Sequence, residues 1–314
     1  MITLTHIYDA RSRISGYVRR TPLIEAKPVK TPITSAGEVY LKLECMQVSG
    51  SFKARGAVNK LMTLPPAQVK RGILTASGGN HGLGVAYAGW IKHVPVTIYL
   101  GGNTPPIKKH KLEGWGAKAI MVGEVWDDAN REALAHAERE QLEYLHPFAD
   151  AAVIAGQGTV ALEIFDQLPD VDVIFVAIGG GGLISGVSLT AKLLKPTVKV
   201  IGIEPTGAPT LYESLKAGRV IELDEIKTKA NTLAPRMSAQ INYELIRDNV
   251  DEIVLVSDDE MRTAARWLWQ EMGVAAELSG AAALAALMSG RYQLQAGQKA
   301  CVLVCGAGTD GIEE

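Results

Sequence analysis

The chain lacks a surplus of either charge. Its 32 lysines and arginines stand against 34 acidic residues, for a net charge of −2, so no overall field recommends a nucleic acid or an anionic membrane as partner. No apolar run approaches the roughly 20 residues that span a bilayer, and the opening Met1-Ile2-Thr3-Leu4-Thr5-His6 is not a charged stretch leading into an apolar one. Cysteine is scarce, at three, which fits a reducing compartment. If Cys301-Val302-Leu303-Val304-Cys305 is a strand, its two thiols share a face but lie about 13 Å apart, four steps of about 3.3 Å, too far for a simple disulfide. The six histidines show no metal-ligand spacing and no His-Glu-x-x-His, which argues against a zinc hydrolase. Together these absences predict a cytoplasmic protein acting on a small molecule.

What is present is enough apolar material for a large core, 47% of 314 residues, in a length that suggests two lobes. Short β-rich runs at 39–43, 73–76, 96–100, 119–122, 173–178, 198–203, 253–256 and 301–304 alternate with helical patterns such as 127–141, 157–168, 258–272 and 280–287. Several runs are continuously apolar, as 173–178 is, which suits strands covered on both faces of a mostly parallel sheet. Ser257-Asp258-Asp259-Glu260 places a capping residue and acids at a helix start. The rhythm predicts an open α/β architecture. With no repeat, low-complexity tract or long linker, the second lobe is expected as an insertion, a small domain at 73–144 within a large one formed by 1–72 and 145–314.

Three stretches carry chemistry. Ser51-Phe52-Lys53-Ala54-Arg55-Gly56-Ala57 sets a lysine beside an aromatic ring; the amine can hold an aldehyde as a Schiff base, and a flat neighbour can pack on the resulting ring. Gly179-Gly180-Gly181-Gly182-Leu183 follows an apolar strand and opens a helix, so its N–H groups and the positive helix end can cradle a phosphate. It lacks the Gly-Lys-Ser/Thr of a P-loop and fails Gly-x-Gly-x-x-Gly. Gly306-Ala307-Gly308-Thr309-Asp310-Gly311 does match that dinucleotide spacing, but the sequence ends three residues later with no helix to receive a pyrophosphate. Ser77-Gly78-Gly79-Asn80-His81-Gly82 is the third stretch, suited either to a substrate carboxylate or to an Asx turn that caps the next helix, with His81 a local hydrogen-bonding residue.

A reactive lysine, a single-phosphate cradle and no dinucleotide site point to pyridoxal 5′-phosphate. With Ile154-Ala155-Gly156-Gln157-Gly158-Thr159 and Glu277-Leu278-Ser279-Gly280-Ala281 in the same order, the chain resembles the threonine/serine dehydratases. These belong to the fold-type II, tryptophan synthase β-like group that also contains serine racemase. The resemblance covers nearly the whole chain. It implies two open α/β lobes with the cofactor in the cleft between them, a homodimer, and β-elimination of water and ammonia from a β-hydroxy amino acid such as L-threonine or L-serine to give a 2-oxo acid. A lyase for 3-hydroxyaspartate or phenylserine, or a serine racemase-like enzyme, is the alternative. Residue by residue, it implies Lys53 as the cofactor-bearing base and Phe52 against the cofactor ring. Asn80 is then the partner of the ring oxygen, Gly179, Gly180, Gly181, Gly182 and Leu183 the phosphate cup, and Ser77, Gly78, Gly79 and His81 the substrate loop. Cys305 takes the place against the pyridine nitrogen, where a neutral thiol cannot hold that nitrogen protonated as an aspartate would.

Four finer expectations follow from the resemblance. No regulatory extension follows Thr309, as in the short, catabolic enzymes. Gly78 stands where serine racemase has a serine, so a second proton donor is missing. Glu204 and Ala208 match part of a divalent-cation segment in which Thr210 replaces an aspartate, leaving a weak site at best. Relatives commonly have Asp-Gly where Ala230-Asn231-Thr232 stands; Arg236 nearby is read as a solvated loop residue, with a second substrate carboxylate as its alternative partner.

Overall fold

The computed structural model describes residues 1–312. Its strands are β1 (Leu23–Glu25), β2 (Glu38–Lys42), β3 (Ile73–Ala76), β4 (Val96–Leu100), β5 (Lys118–Met121), β6 (Glu143–Tyr144), β7 (Val173–Ala177), β8 (Lys199–Pro205), β9 (Glu252–Val256) and β10 (Lys299–Leu303). Its first six helices are α1 (Leu4–Ile14), α2 (Lys53–Thr63), α3 (Pro66–Arg71), α4 (Asn80–Lys92), α5 (Pro106–Glu113) and α6 (Trp126–Glu140). Then come α7 (Ala151–Gln167), α8 (Gly182–Leu194), α9 (Thr210–Ala217), α10 (Gln240–Asn249), α11 (Asp258–Met272) and α12 (Leu278–Met288).

The chain divides into two compact units, the first made of Met1–Arg19 and Lys53–Gly156, the second of Arg20–Phe52 and Gln157–Glu314. The first holds a four-stranded parallel sheet in the order β5-β4-β3-β6. That sheet lies wholly within the expected 73–144, while the unit around it reaches further, because α1 packs on α2 and α2 packs on α4.

The second unit holds six strands in the order β1-β2-β10-β7-β8-β9, parallel except for β1. All five residues of β7 are buried, as a strand covered on both faces requires. Helix α12 is buried for nearly its whole length; its alanines let it pack closely on α11 and against β7 and β8. At the start of α11, Ser257 accepts from the Glu260 N–H while Glu260 accepts from the Ser257 N–H, the reciprocal cap anticipated there. A buried ion pair lies inside this unit. Lys42, fully buried at the end of β2, donates to Glu163 of α7 at 2.6 Å, to Gln167 at 2.7 Å and to the Thr21 carbonyl at 2.8 Å. All three cysteines are free and buried, and burial pushes the thiols of Cys45 and Cys301 up to about 12.

Candidate active site

In the first unit the parallel strands β3 and β6 lie side by side, so the segments that leave their carboxyl ends, 77–80 and 145–147, emerge along one edge of the sheet. Lys53 reaches that edge. It opens α2, and its Nζ donates to the Pro147 carbonyl at 2.7 Å. Gly84 of α4 fits against this start: a Cβ there would stand 3.0 Å from the Lys53 carbonyl carbon and 3.1 Å from Ala54 N. The same helix begins at Asn80 and presents its positive end at the 77–80 loop. Ser77 accepts from the Gly79 N–H at 3.3 Å, and Trp126 ties the strand ahead of the loop by donating to the Ala76 carbonyl at 2.8 Å.

His81 is buried, and its Nε2 meets the Leu145 carbonyl at 2.9 Å, so that nitrogen carries the proton. Burial, helped by the Lys53 charge, pushes its pKa down to about 3. His146, which the sequence reading passed over, has Nδ1 accepting from the N–H groups of Phe148 at 3.2 Å and Ala149 at 2.8 Å. Burial and the Lys53 charge hold it down to about 4. Two neutral imidazoles therefore stand near the lysine, and neither competes with it for a proton at neutral pH.

In the second unit the neighbouring parallel strands β2, β10 and β7 lead to the 43–52 segment, to Cys305 and to the glycine run respectively. The Phe52 N–H donates to the Cys305 carbonyl at 3.3 Å, joining the two residues through their backbones. Cys305 lies two residues past the end of β10 and its Sγ donates to the Ser279 carbonyl at 3.5 Å. Gly181 adopts φ +93°, a left-handed conformation, at the head of α8. Gly179 has no room for a side chain, since a Cβ would lie 2.6 Å from the Thr232 carbonyl oxygen.

A family model described as "Pyridoxal-phosphate dependent enzyme" matches residues 14–306. The chain belongs to this family. It is 40% identical over 310 residues to the L-threonine ammonia-lyase of Thermotoga maritima, covering 99% of this chain and 76% of that one. Among solved structures, maize serine racemase matches with a TM-score of 0.92 at 33% identity, covering 98% of this chain and 93% of that one. The processed form of threonine deaminase isoform 2 from Solanum lycopersicum matches with a TM-score of 0.90 at 31% identity, covering 97% of this chain and 84% of that one.

The residues present fit pyridoxal phosphate. The glycine run offers backbone N–H groups at a helix head, the arrangement that binds a phosphate. Other buried groups wait for partners: the Ser51 hydroxyl, two residues before Lys53, and both amide atoms of Gln157, which follows the Gly156 packed on Arg55 and Gly56. An unpaired buried polar group costs about 1–3 kcal/mol, which a bound ligand recovers.

Hydrogen bonds place the residues of two of the finer expectations. The Glu204 carboxylate is turned onto α9, accepting from the N–H groups of Leu211 at 2.9 Å and Tyr212 at 2.8 Å, while the Thr210 hydroxyl donates to the Pro235 carbonyl. Burial pushes Glu204 up to about 8 against those two donors. Among the described residues no group of three or more His, Cys, Asp or Glu is placed to hold a metal. Arg236 is a turn residue. It donates to the carbonyls of Leu223 and Asp224 and pairs with Glu222 at 3.5 Å, with half its side chain in solvent.

Proposed function

We propose that the protein is an ammonia-lyase that converts L-threonine and L-serine to the 2-oxo acid and ammonia. The observation that carries this reading is Lys53, an amine oriented by the Pro147 carbonyl with two neutral histidines beside it, in a chain of this family. When bound, pyridoxal phosphate supplies the electron sink that makes the substrate α-proton acidic. Lys53 would take that proton, the β-hydroxyl would leave with a proton as water, and the resulting enamine, once free, would hydrolyse to the 2-oxo acid and ammonia. Asn80 is the partner of the cofactor's ring oxygen, and Ser77, Gly78, Gly79 and His81 at the head of α4 form the loop that takes the substrate carboxylate. Phe52 packs on the cofactor ring, Cys305 faces its nitrogen as a neutral group, and 179–183 hold its phosphate.

Elimination is favoured over racemisation by Gly78. A racemase needs a second proton donor across the α-carbon from the lysine, and glycine supplies none. Space there is scarce as well: a Cβ on Gly78 would lie 3.0 Å from Thr104 Cγ2 and 3.4 Å from Leu100 Cδ2. The same family likeness supports a cytoplasmic homodimer, which light scattering of the purified protein checks.

A screen of 2-oxo acid release across β-hydroxy amino acids of both stereochemistries tests the function. L-threonine and L-serine are expected to lead, the holoprotein to be yellow, and Lys53→Ala to abolish turnover. Racemisation of serine at a rate rivalling pyruvate formation, or a clear preference for 3-hydroxyaspartate or phenylserine, refutes it.

A further inference from the structure

The glycine run after β7 has no side chain with which to hold its own shape until Leu183, and glycine peptides reorient at little cost. An anion is held only if N–H groups face it; a carbonyl turned the same way repels it. Because the peptide is planar and trans, the Gly180 carbonyl and the Gly181 N–H point in opposite directions, and fixing one fixes the other. Ser238 does this from outside the loop. Its hydroxyl, on a residue only 4% exposed, donates to the Gly180 carbonyl at 3.0 Å.

Ser238 is itself well anchored. It precedes α10, whose first turns lie against the loop: a Cβ on Gly181 would meet Asn242 Cβ at 3.1 Å and Ile246 Cδ1 at 3.0 Å. Asn242 also reaches Ser185, in the first turn of α8, at 3.2 Å. On the other side of Ser238, the Pro235 carbonyl accepts from Thr210 at 2.7 Å. The segment is thus pinned both before and after the residue that grips the loop.

We propose that Ser238 is a positioning residue for the phosphate site, drawing the Gly180 carbonyl outward so that the Gly181 N–H is presented to the phosphate. This rests on reading 179–183 as the phosphate cup. Apoprotein titrated with pyridoxal phosphate and with pyridoxal, the same aldehyde without phosphate, tests it. Ser238→Ala is expected to raise the dissociation constant for pyridoxal phosphate about fivefold, the equivalent of one neutral hydrogen bond, and to leave that for pyridoxal unchanged. Ser238→Thr, which keeps the hydroxyl, is expected to bind pyridoxal phosphate as the parent does. Equal losses for both aldehydes in Ser238→Ala, or no loss for either, overturn the proposal. If the parent protein itself binds the two aldehydes equally well, the cup reading fails and takes the proposal with it.

Discussion

Gly84→Ala tests whether α4 sets the position of Lys53. The added methyl would stand 3.0 Å from the Lys53 carbonyl carbon, 3.1 Å from its oxygen and 3.1 Å from Ala54 N. Carbon contacts settle near about 3.5–4.0 Å, so the first turn of α2 must retreat by about 0.5 Å, and no flexible side chain is available to give way instead. Overpacking of this kind costs about 1–3 kcal/mol, offset by about 0.5–1 kcal/mol from replacing a mid-helix glycine. The net expectation is a loss of about 0–2.5 kcal/mol in urea unfolding. Activity should suffer more than stability. A misplacement of about 1 Å can cost about a hundredfold, so a shift of half that at the reacting amine is expected to lower kcat about tenfold. Affinity for pyridoxal phosphate conferred by the glycine run should persist. Wild-type kcat together with a wild-type unfolding midpoint would show that α2 does not take its place from α4.

Glu204 is expected to make stability pH-dependent. With a folded pKa of about 8 against an ordinary value of 4.5, the native state binds the extra proton, so stability falls as pH rises from about 4.5 to 8, by up to about 1.4 kcal/mol per unit. Urea midpoints at several pH values should show this slope in the parent and not in Glu204→Gln; equal slopes would refute the assignment. Chelators should leave the activity of the holoprotein intact, and a sharp, magnesium-reversible loss would show that a cation site survives. Lys42→Ala strands the Glu163 charge and is expected to cost about 3–5 kcal/mol, whereas Lys42→Met combined with Glu163→Leu should come close to the parent in chemical denaturation.

The sheets were legible because two-sided burial writes itself as continuous apolar runs. The run at 173–178 became β7, and the run at 253–256 became the body of β9. Strand β1, three half-exposed residues paired antiparallel at an edge, and the two-residue β6 leave no such trace. The start of α2 at Lys53 was also hidden, since Gly56 argues against a helix locally and packing on α1 and α4 compensates. The glycine run and Lys53 could be singled out as candidates from residue type and order. His146, Pro147 and Ser238 could not, because their hydrogen bonds are made with backbone groups that the sheet edge and α10 bring to them.

The place of β10 has a consequence for synthesis. It is the last of the described strands to be made, yet it sits in the interior of its sheet, hydrogen-bonded to β2 on one side and β7 on the other. Until 299–303 leave the ribosome, the β1-β2 ribbon and the β7-β8-β9 group each present an open edge, which is a template for pairing with other chains. The contiguous 53–156 stretch, by contrast, is complete long before. A chain that stops short of residue 299 lacks the strand that joins β2 to β7, and is expected to aggregate rather than show partial activity.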